Sequence, residues 1–118
     1  MGASFGPAGN SNSYFEQGYK DNSGVAEYVV RMGLDTFEYQ CGRGVHIGQA
    51  AAERFGAQAA AAGITLSVHA PYFISLSSTE EAKRLGSARY FIESARAAKA
   101  MGACRIVLHS GSCSRMSR

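Results

Sequence analysis

Tryptophan is absent from this sequence, proline occurs only twice, and charged side chains are sparse. Hydrophobic residues make up 46% of the 118 positions and charged residues 18%, a balance that excludes an intrinsically disordered chain. No apolar run approaches the roughly 18 residues that a membrane helix needs, and the first residues lack the basic and apolar parts of a signal peptide. One globular domain with its own core is therefore expected.

Cysteine is also scarce. Cys41, Cys104 and Cys113 form an odd set without the spacing of a metal site, so we expect reduced thiols in a cytoplasmic setting. The 12 basic and nine acidic residues give a net charge of +3, which suits a polyanionic partner without requiring one. No G-x-G-x-x-G sequence follows a predicted strand, and this argues against a dinucleotide-binding fold.

Glycine, in contrast, occurs 14 times, and three glycines mark a repeated pattern. Gly33, Gly63 and Gly102 each end a predicted helix, because glycine readily takes the left-handed conformation found after a helix. The three helices are predicted at about 23–32, 48–62 and 79–101. Each glycine precedes a short run rich in β-branched or aromatic residues, which is typical of a strand; these runs are 36–39, 65–69 and 105–109.

The third predicted helix is the best defined of the three. Ser78 and Glu81 predict a capping box at its start. Four apolar residues recur on one of its faces, which predicts that this face packs on the core: Leu85, Ala88, Ile92 and Ala95. The basic residues lie away from that face and are expected to be solvated.

An additional strand at about 3–8 gives the order β-α-β-α-β-α-β. Helical connections join parallel strands, so a doubly wound sheet and an opened barrel both fit. Glu38, His69 and His109 lie at or near the carboxyl ends of strands, where barrel enzymes assemble their active sites. We therefore predict an α/β fold in which residues 1–118 form a half-barrel of four parallel strands, since a complete (β/α)8 barrel needs roughly 250 residues.

The two histidines follow apolar strand residues and precede small, turn-forming ones. Neutral imidazole is a good zinc ligand, and His69 and His109 on neighbouring strand ends could share one metal ion. A histidine in such a position is also often hydrogen-bonded without a metal, or serves as a general base. The spacing alone leaves these alternatives open.

Four short motifs follow one another at the predicted strand ends. They are Phe5-Gly6-Pro7-Ala8-Gly9, Phe37-Glu38-Tyr39-Gln40-Cys41-Gly42-Arg43-Gly44, His69-Ala70-Pro71-Tyr72 with Ile74-Ser75-Leu76 behind it, and His109-Ser110-Gly111-Ser112. The first two resemble strand ends in a bacterial and archaeal branch of the endonuclease IV superfamily. The last two resemble its histidine–tyrosine–Ile-Asn-Leu and His-Pro-Gly-Ser segments. The resemblance covers nearly the whole chain and implies the N-terminal half of an endonuclease IV-like TIM barrel.

This resemblance implies a trinuclear zinc (Zn²⁺) centre that cleaves the phosphodiester 5′ to an abasic nucleotide. It implies that His69 and His109 bind the same zinc ion, with a bridging glutamate from the fifth strand. Tyr72 matches a tyrosine on a loop that enters the bent DNA, although packing on the barrel rim is an alternative. Arg43 is a candidate contact for the DNA, or a solvated arginine. The implied partner is double-stranded DNA containing abasic sites, with no membrane.

The chain departs from the family motifs at two positions. Ser110 replaces the proline of His-Pro-Gly-Ser, which removes a rigid turn just after His109, and Ser75 replaces the asparagine of Ile-Asn-Leu. His46 matches no family ligand and is interpreted as an ordinary loop residue. Glu38 is expected to form hydrogen bonds at its strand end.

The last residues, Arg115–Arg118, are typical of the start of a fourth helix. Strands five to eight would supply the remaining metal ligands, so we expect no DNA cleavage by this chain alone. We also expect self-association through the exposed half-barrel. Two further interpretations stay open: part of a metal-dependent sugar isomerase or epimerase of the same barrel superfamily, and a non-catalytic half-barrel.

Overall fold

Helices and parallel strands alternate along residues 2–113, which are the residues that the computed structural model describes. The helices are α1 (Asn12–Glu16), α2 (Val25–Arg31, after a 3-10 turn at Asn22–Gly24), α3 (Gln49–Ala61) and α4 (Glu81–Met101). The strands are β1 (Thr36–Gln40), β2 (Thr65–His69) and β3 (Arg105–Val107). The repeated pattern is confirmed, whereas α1 was not predicted. The helix predicted to start at Arg115–Arg118 lies outside the described residues.

The strands form one parallel sheet in the order β1-β2-β3. The strand predicted at 3–8 is only partly present, because residues 5–9 run parallel to β1 with a single regular bridge between Ala8 and Glu38. Glu38 N donates to Pro7 O at 3.0 Å and Gly9 N donates to Glu38 O at 2.9 Å. Pro7 has no N–H for the next bond of the ladder. Within residues 2–113, the predicted four-strand half-barrel is therefore three strands with an irregular fourth at residues 5–9, which we call the N-terminal segment.

Side chains alternate between the two faces of this sheet. Two rows of register partners lie on the face of the sheet away from the helices, which we call the inner face. The first row is Glu38, Ser67 and Arg105, and the second, two residues farther along each strand, is Gln40, His69 and Val107. Leu66 and Val68 point to the opposite face and are buried. The inner face is therefore largely polar, and the other face belongs to the core.

The core lies between the sheet and the helices. Phe37 of β1 packs edge-on against Phe55 of α3, with 5.9 Å between ring centroids. Gly33, Gly63 and Gly102 have φ angles of 69°, 73° and 67°, so each predicted helix end is confirmed. Within residues 2–113, no helix has both the length and the apolar character needed to cross a membrane.

The predicted inward face of α4 is wrong. Leu85 is 65% exposed and Ile92 is 50% exposed, and the buried residues of the helix are mostly small: Ser87, Ser94, Ala97, Ala98 and Met101. The predicted capping box is also absent, since the helix begins after Glu80 and the Ser78 hydroxyl accepts from Glu80 N instead. At the C-terminal end of α4 the small residues let the helix pack closely against α3. A Cβ added at Gly56 of α3 would overlap the backbone of Met101.

Candidate metal centre

The structure brings together the two histidines predicted as ligands. His69 is the last residue of β2 and pairs in register with Val107, the last residue of β3. His109 lies two positions beyond Val107 and so returns to the inner face. The ring centroids of His69 and His109 are 5.1 Å apart, with an interplanar angle of 51°. Two imidazoles from neighbouring strands thus converge at one rim of the sheet.

The His69 ring is held by a hydrogen bond to the backbone. Its Nδ1 lies 2.9 Å from the carbonyl oxygen of Ala70, and because a carbonyl only accepts, Nδ1 carries the proton in the neutral ring. Nε2 then keeps its lone pair. A metal-binding histidine commonly shows this arrangement, in which a backbone carbonyl fixes the tautomer and the ring orientation. His69 is half-buried and His109 is exposed.

The donor set fits part of a zinc site. Neutral imidazole nitrogens suit zinc, and catalytic zinc sites usually have three protein ligands. In the part of the chain that the structure describes, no three His, Cys, Asp or Glu side chains lie close enough together to hold a metal ion. His69 and His109 therefore fit two ligand positions, and a zinc ion bound to them would need a third protein ligand from outside the described residues.

Glu38 lies on the inner face, two residues before Gln40, which is the register partner of His69. Its carboxylate accepts a hydrogen bond from Gln40 Nε2 at 2.8 Å and a longer one from the Ser67 hydroxyl at 3.4 Å. The expected hydrogen-bonding role of Glu38 is confirmed. Arg105 is the register partner of Ser67 on β3 and so lies in the same row as Glu38. It was not predicted as a site residue, although the alternation of charged Arg105 with apolar Ile106 in a predicted strand indicates that Arg105 faces away from the core.

Tyr72 lies on the loop between β2 and α4, just after buried Pro71. Its side chain is 58% exposed, and its ring meets Phe73 edge-on at 5.7 Å. Phe73 in turn packs on Tyr90 of α4, with 4.9 Å between centroids. The structure thus presents Tyr72 outward on an aromatic support. Phe73 and Tyr90 were not predicted, because their contact joins a loop residue to a residue within α4 and no local sequence pattern indicates such a contact.

Arg43 is exposed at the tip of the turn between β1 and α3. Gly42 and Gly44 on either side have φ angles of 56° and 152°, conformations that favour glycine. The turn starts at the same sheet edge as the histidines, because Cys41 N donates to His69 O at 3.0 Å. Arg43 is therefore placed at the strand-end rim with its guanidinium free to meet solvent or a ligand.

A separate cavity of about 450 Å³ lies on the helix side of the sheet. It is lined by Tyr39, His46 and Arg54, among others, and burial raises the pKa of Tyr39 above its usual value. Tyr39 alternates with Gln40, so its ring faces away from the histidine pair. His46 is exposed in the loop after β1, and it lies outside the candidate metal centre.

The sequence and the fold were both compared with known proteins. The pattern of the xylose isomerase-like TIM barrel family matches residues 26–117. No curated protein matches the sequence. A solved structure of D-psicose 3-epimerase in the presence of D-fructose is similar, with a TM-score of 0.64 and 19% identity, over 77% of this chain and 32% of the epimerase chain.

At that identity the likeness to the epimerase shows the fold alone, and this chain spans about a third of the epimerase's length. The family match is broader, because it covers most of the chain from α2 onward. It agrees with the parallel sheet, the helical connections and the polar strand ends described above. The chain belongs to the xylose isomerase-like TIM barrel family, the superfamily that includes endonuclease IV.

Proposed function

We propose that this chain forms one side of the active site of a zinc-dependent endonuclease that cleaves DNA 5′ to abasic sites. The observation that carries the proposal is the convergence of His69 and His109, with 5.1 Å between their ring centroids. When bound, zinc would polarise the phosphate and supply hydroxide at neutral pH. The chain's own part is to hold the ion through two imidazole nitrogens, one of them oriented by Ala70 O.

Two side chains around the histidines suit a DNA substrate. Tyr72 presents a ring that is 58% exposed, and exposed aromatic rings stack on unpaired bases. Arg43 adds a cation at the rim, which suits a phosphate contact. In this proposal Tyr72 fills the gap beside an abasic nucleotide, and Arg43 positions the backbone. The described residues offer only two metal ligands, so the chain by itself is expected not to incise DNA.

A sugar isomerase or epimerase is the second candidate. The inner-face row of Glu38, Ser67 and Arg105 favours it, because these groups supply the acceptors and donors that bind sugar hydroxyls. The similar fold of D-psicose 3-epimerase also fits this candidate. In this case the polar row, rather than Tyr72, would contact the substrate.

Binding measurements separate the two candidates. Fluorescence anisotropy would compare a labelled duplex containing a tetrahydrofuran abasic analogue with the matched intact duplex, in the presence of zinc. We expect tighter binding of the abasic duplex, and a roughly 5- to 150-fold loss of that affinity in Tyr72→Ala, the range expected for one stacked ring. Tyr72→Phe keeps the ring and should bind like the wild type.

Equal affinity for the two duplexes, or no effect of Tyr72→Ala, would count against the DNA proposal. Titration with D-fructose gives the complementary result. Saturable sugar binding that is lost in Glu38→Gln would favour the second candidate, because that substitution replaces one hydrogen-bond acceptor while keeping the side-chain shape.

A further inference from the structure

The rings of the two converging histidines are held in different ways. Ala70 O orients the His69 ring through Nδ1, whereas within residues 2–113 the ring of His109 contacts His69 and forms no hydrogen bond. β3 ends at Val107, two residues before His109, and Ser110 lacks the ring with which a proline would fix its φ angle. The position of His109 therefore depends on what the backbone around it contacts.

Two backbone hydrogen bonds enclose His109. Ala70 N donates to Val107 O at 2.8 Å on one side of it, and Leu76 N donates to Ser110 O at 2.9 Å on the other. Both donors belong to the segment that follows β2. The backbone at 107–110 is thus held at two points against residues 70–76, and the histidine lies between these points.

The side chain of Ser77 adds a third bond to this pairing. Its hydroxyl donates to Ser112 O at 2.8 Å. The backbone between the two accepting carbonyls comes close to the serines, because a Cβ added at Gly111 would overlap the Ser77 hydroxyl and meet Ser75 Oγ at 3.1 Å. Gly111 also has a φ angle of 121°, which favours glycine. We call this pairing of residues 75–77 with residues 110–112 the loop contact.

The loop contact is anchored to α4 on the side away from the histidines. Ser75 N donates to the Ser87 hydroxyl at 2.9 Å, and Ser87 is a polar residue of α4 that is only 5% exposed. Ile74, one position earlier in the loop, is buried as well. The segment at 74–77 is therefore fixed by the helix, and it can position the less constrained backbone around His109.

We propose that Ser77 and Gly111 are positioning residues of the candidate metal centre, which hold His109 beside His69 through the loop contact before a metal ion binds. Preorganised ligands bind a metal ion more tightly, because less conformational freedom is lost on binding. The inference rests on the metal-binding part of the proposed function, and it holds equally for a DNA and a sugar substrate.

Nuclear magnetic resonance of the zinc-free chain tests the positioning directly. The ring centroids of His69 and His109 are 5.1 Å apart, so we expect nuclear Overhauser effects between their ring protons in the wild type. Ser77→Ala removes the hydroxyl and should weaken these effects, and Gly111→Ala forces the two loops apart and should abolish them. Ser77→Thr keeps the hydroxyl and should retain them.

Ser78→Ala is the matched control for Ser77→Ala. The Ser78 hydroxyl accepts from Glu80 N just before α4 and takes no part in the loop contact, so this variant should keep the ring contacts of the wild type. Circular dichroism would verify that all the variants keep the helical content of the wild type.

Zinc affinity gives a second measurement. Competition with a chromophoric chelator should show about fivefold weaker zinc binding in Ser77→Ala, which corresponds to the roughly 1 kcal/mol of one hydrogen bond. Gly111→Ala should lose at least tenfold, within the range expected when the support of a metal ligand is removed. Ser77→Thr and Ser78→Ala should bind zinc like the wild type.

Unchanged ring contacts in both Ser77→Ala and Gly111→Ala would overturn the proposal. An equal loss in Ser78→Ala would also overturn it, because it would indicate a general loosening of the loop. Ring contacts that depend on Ser77 in a chain that binds no zinc would support the positioning and contradict the metal-binding part of the proposed function. The two failures are therefore distinguishable.

Discussion

The imidazole of His109 lies against that of His69, with 5.1 Å between the ring centroids, although each ring comes from a different strand end. The parallel register of β2 and β3 produces this contact, because His69 pairs with Val107 and His109 follows two positions later on the same face. Ala70 O fixes the orientation of one of the rings. Metal binding at this pair can therefore be tested without assuming a substrate.

Zinc affinity is expected to depend on both histidines. Competition with a chromophoric chelator at pH 7.5 should show weaker zinc binding in His69→Ala and in His109→Ala, by at least tenfold in each case, because each variant removes one of two protein ligands. His46→Ala is the matched control, since its ring lies outside the pair. Equal affinity in all four proteins would show that the converging imidazoles do not hold the ion.

The three thiols are expected to differ in reactivity. Cys41 is buried, whereas Cys104 and Cys113 are exposed, and burial raises the pKa of the Cys41 thiol. Less of it is ionised at a given pH, and the thiolate is the reactive form. At pH 8, iodoacetamide followed by mass spectrometry should label two cysteines rapidly and Cys41 only after denaturation. Rapid labelling of all three thiols in the folded protein would contradict this burial.

The raised pKa of the Cys41 thiol predicts that the folded protein loses stability at alkaline pH. Because the folded-state pKa of Cys41 is raised above the ordinary 9.0, the folded protein keeps a proton that the unfolded chain loses. The resulting contribution is complete below pH 9 and declines as the pH rises toward the folded-state pKa. Thermal melts from pH 8 to 11 should show a steeper fall in Tm for the wild type than for Cys41→Ala. Parallel curves would contradict the assignment.

Two helical glycines are expected to respond in opposite directions to the same substitution. A Cβ at Gly56 would overlap the backbone of Met101, whereas a Cβ at Gly86 of α4 meets nothing within 4 Å. Gly56→Ala should therefore lower Tm, because α3 has to move away from α4. Gly86→Ala should raise the free energy of unfolding by about 0.5–1 kcal/mol through the higher helix propensity of alanine. A stabilised Gly56→Ala protein would argue against this close approach of the helices.

Much of the fold could be predicted because its pattern is local. The helices that end at Gly33, Gly63 and Gly102 and the strands behind them follow from neighbouring residues alone. The convergence of the histidines was also predictable once the strands were taken as parallel, since parallel strands bring their carboxyl ends to one edge.

Other features depend on packing between elements distant in the sequence. In α4, the larger apolar residues Leu85 and Ile92 predicted the buried face, but the interior positions include Ser87, whose hydroxyl accepts a hydrogen bond from Ser75 N of the preceding loop, and Ser94. The irregular pairing of the N-terminal segment follows from Pro7 at one step of the ladder, whereas an ordinary strand was predicted at about 3–8. The contact of Phe73 with Tyr90 likewise needs the path of a loop that sequence periodicity does not describe.

Odd- and even-numbered residues of β2 face opposite sides of the sheet and have different roles. Thr65, Ser67 and His69 face the inner side, and Leu66 and Val68 between them fill the core. A one-residue shift in the pairing register of this strand would exchange the two sets, burying an imidazole and placing aliphatic groups at the rim. A two-residue shift would preserve both. Changes in the register of β2 among homologous proteins are therefore expected in even steps, whatever reaction the barrel catalyses.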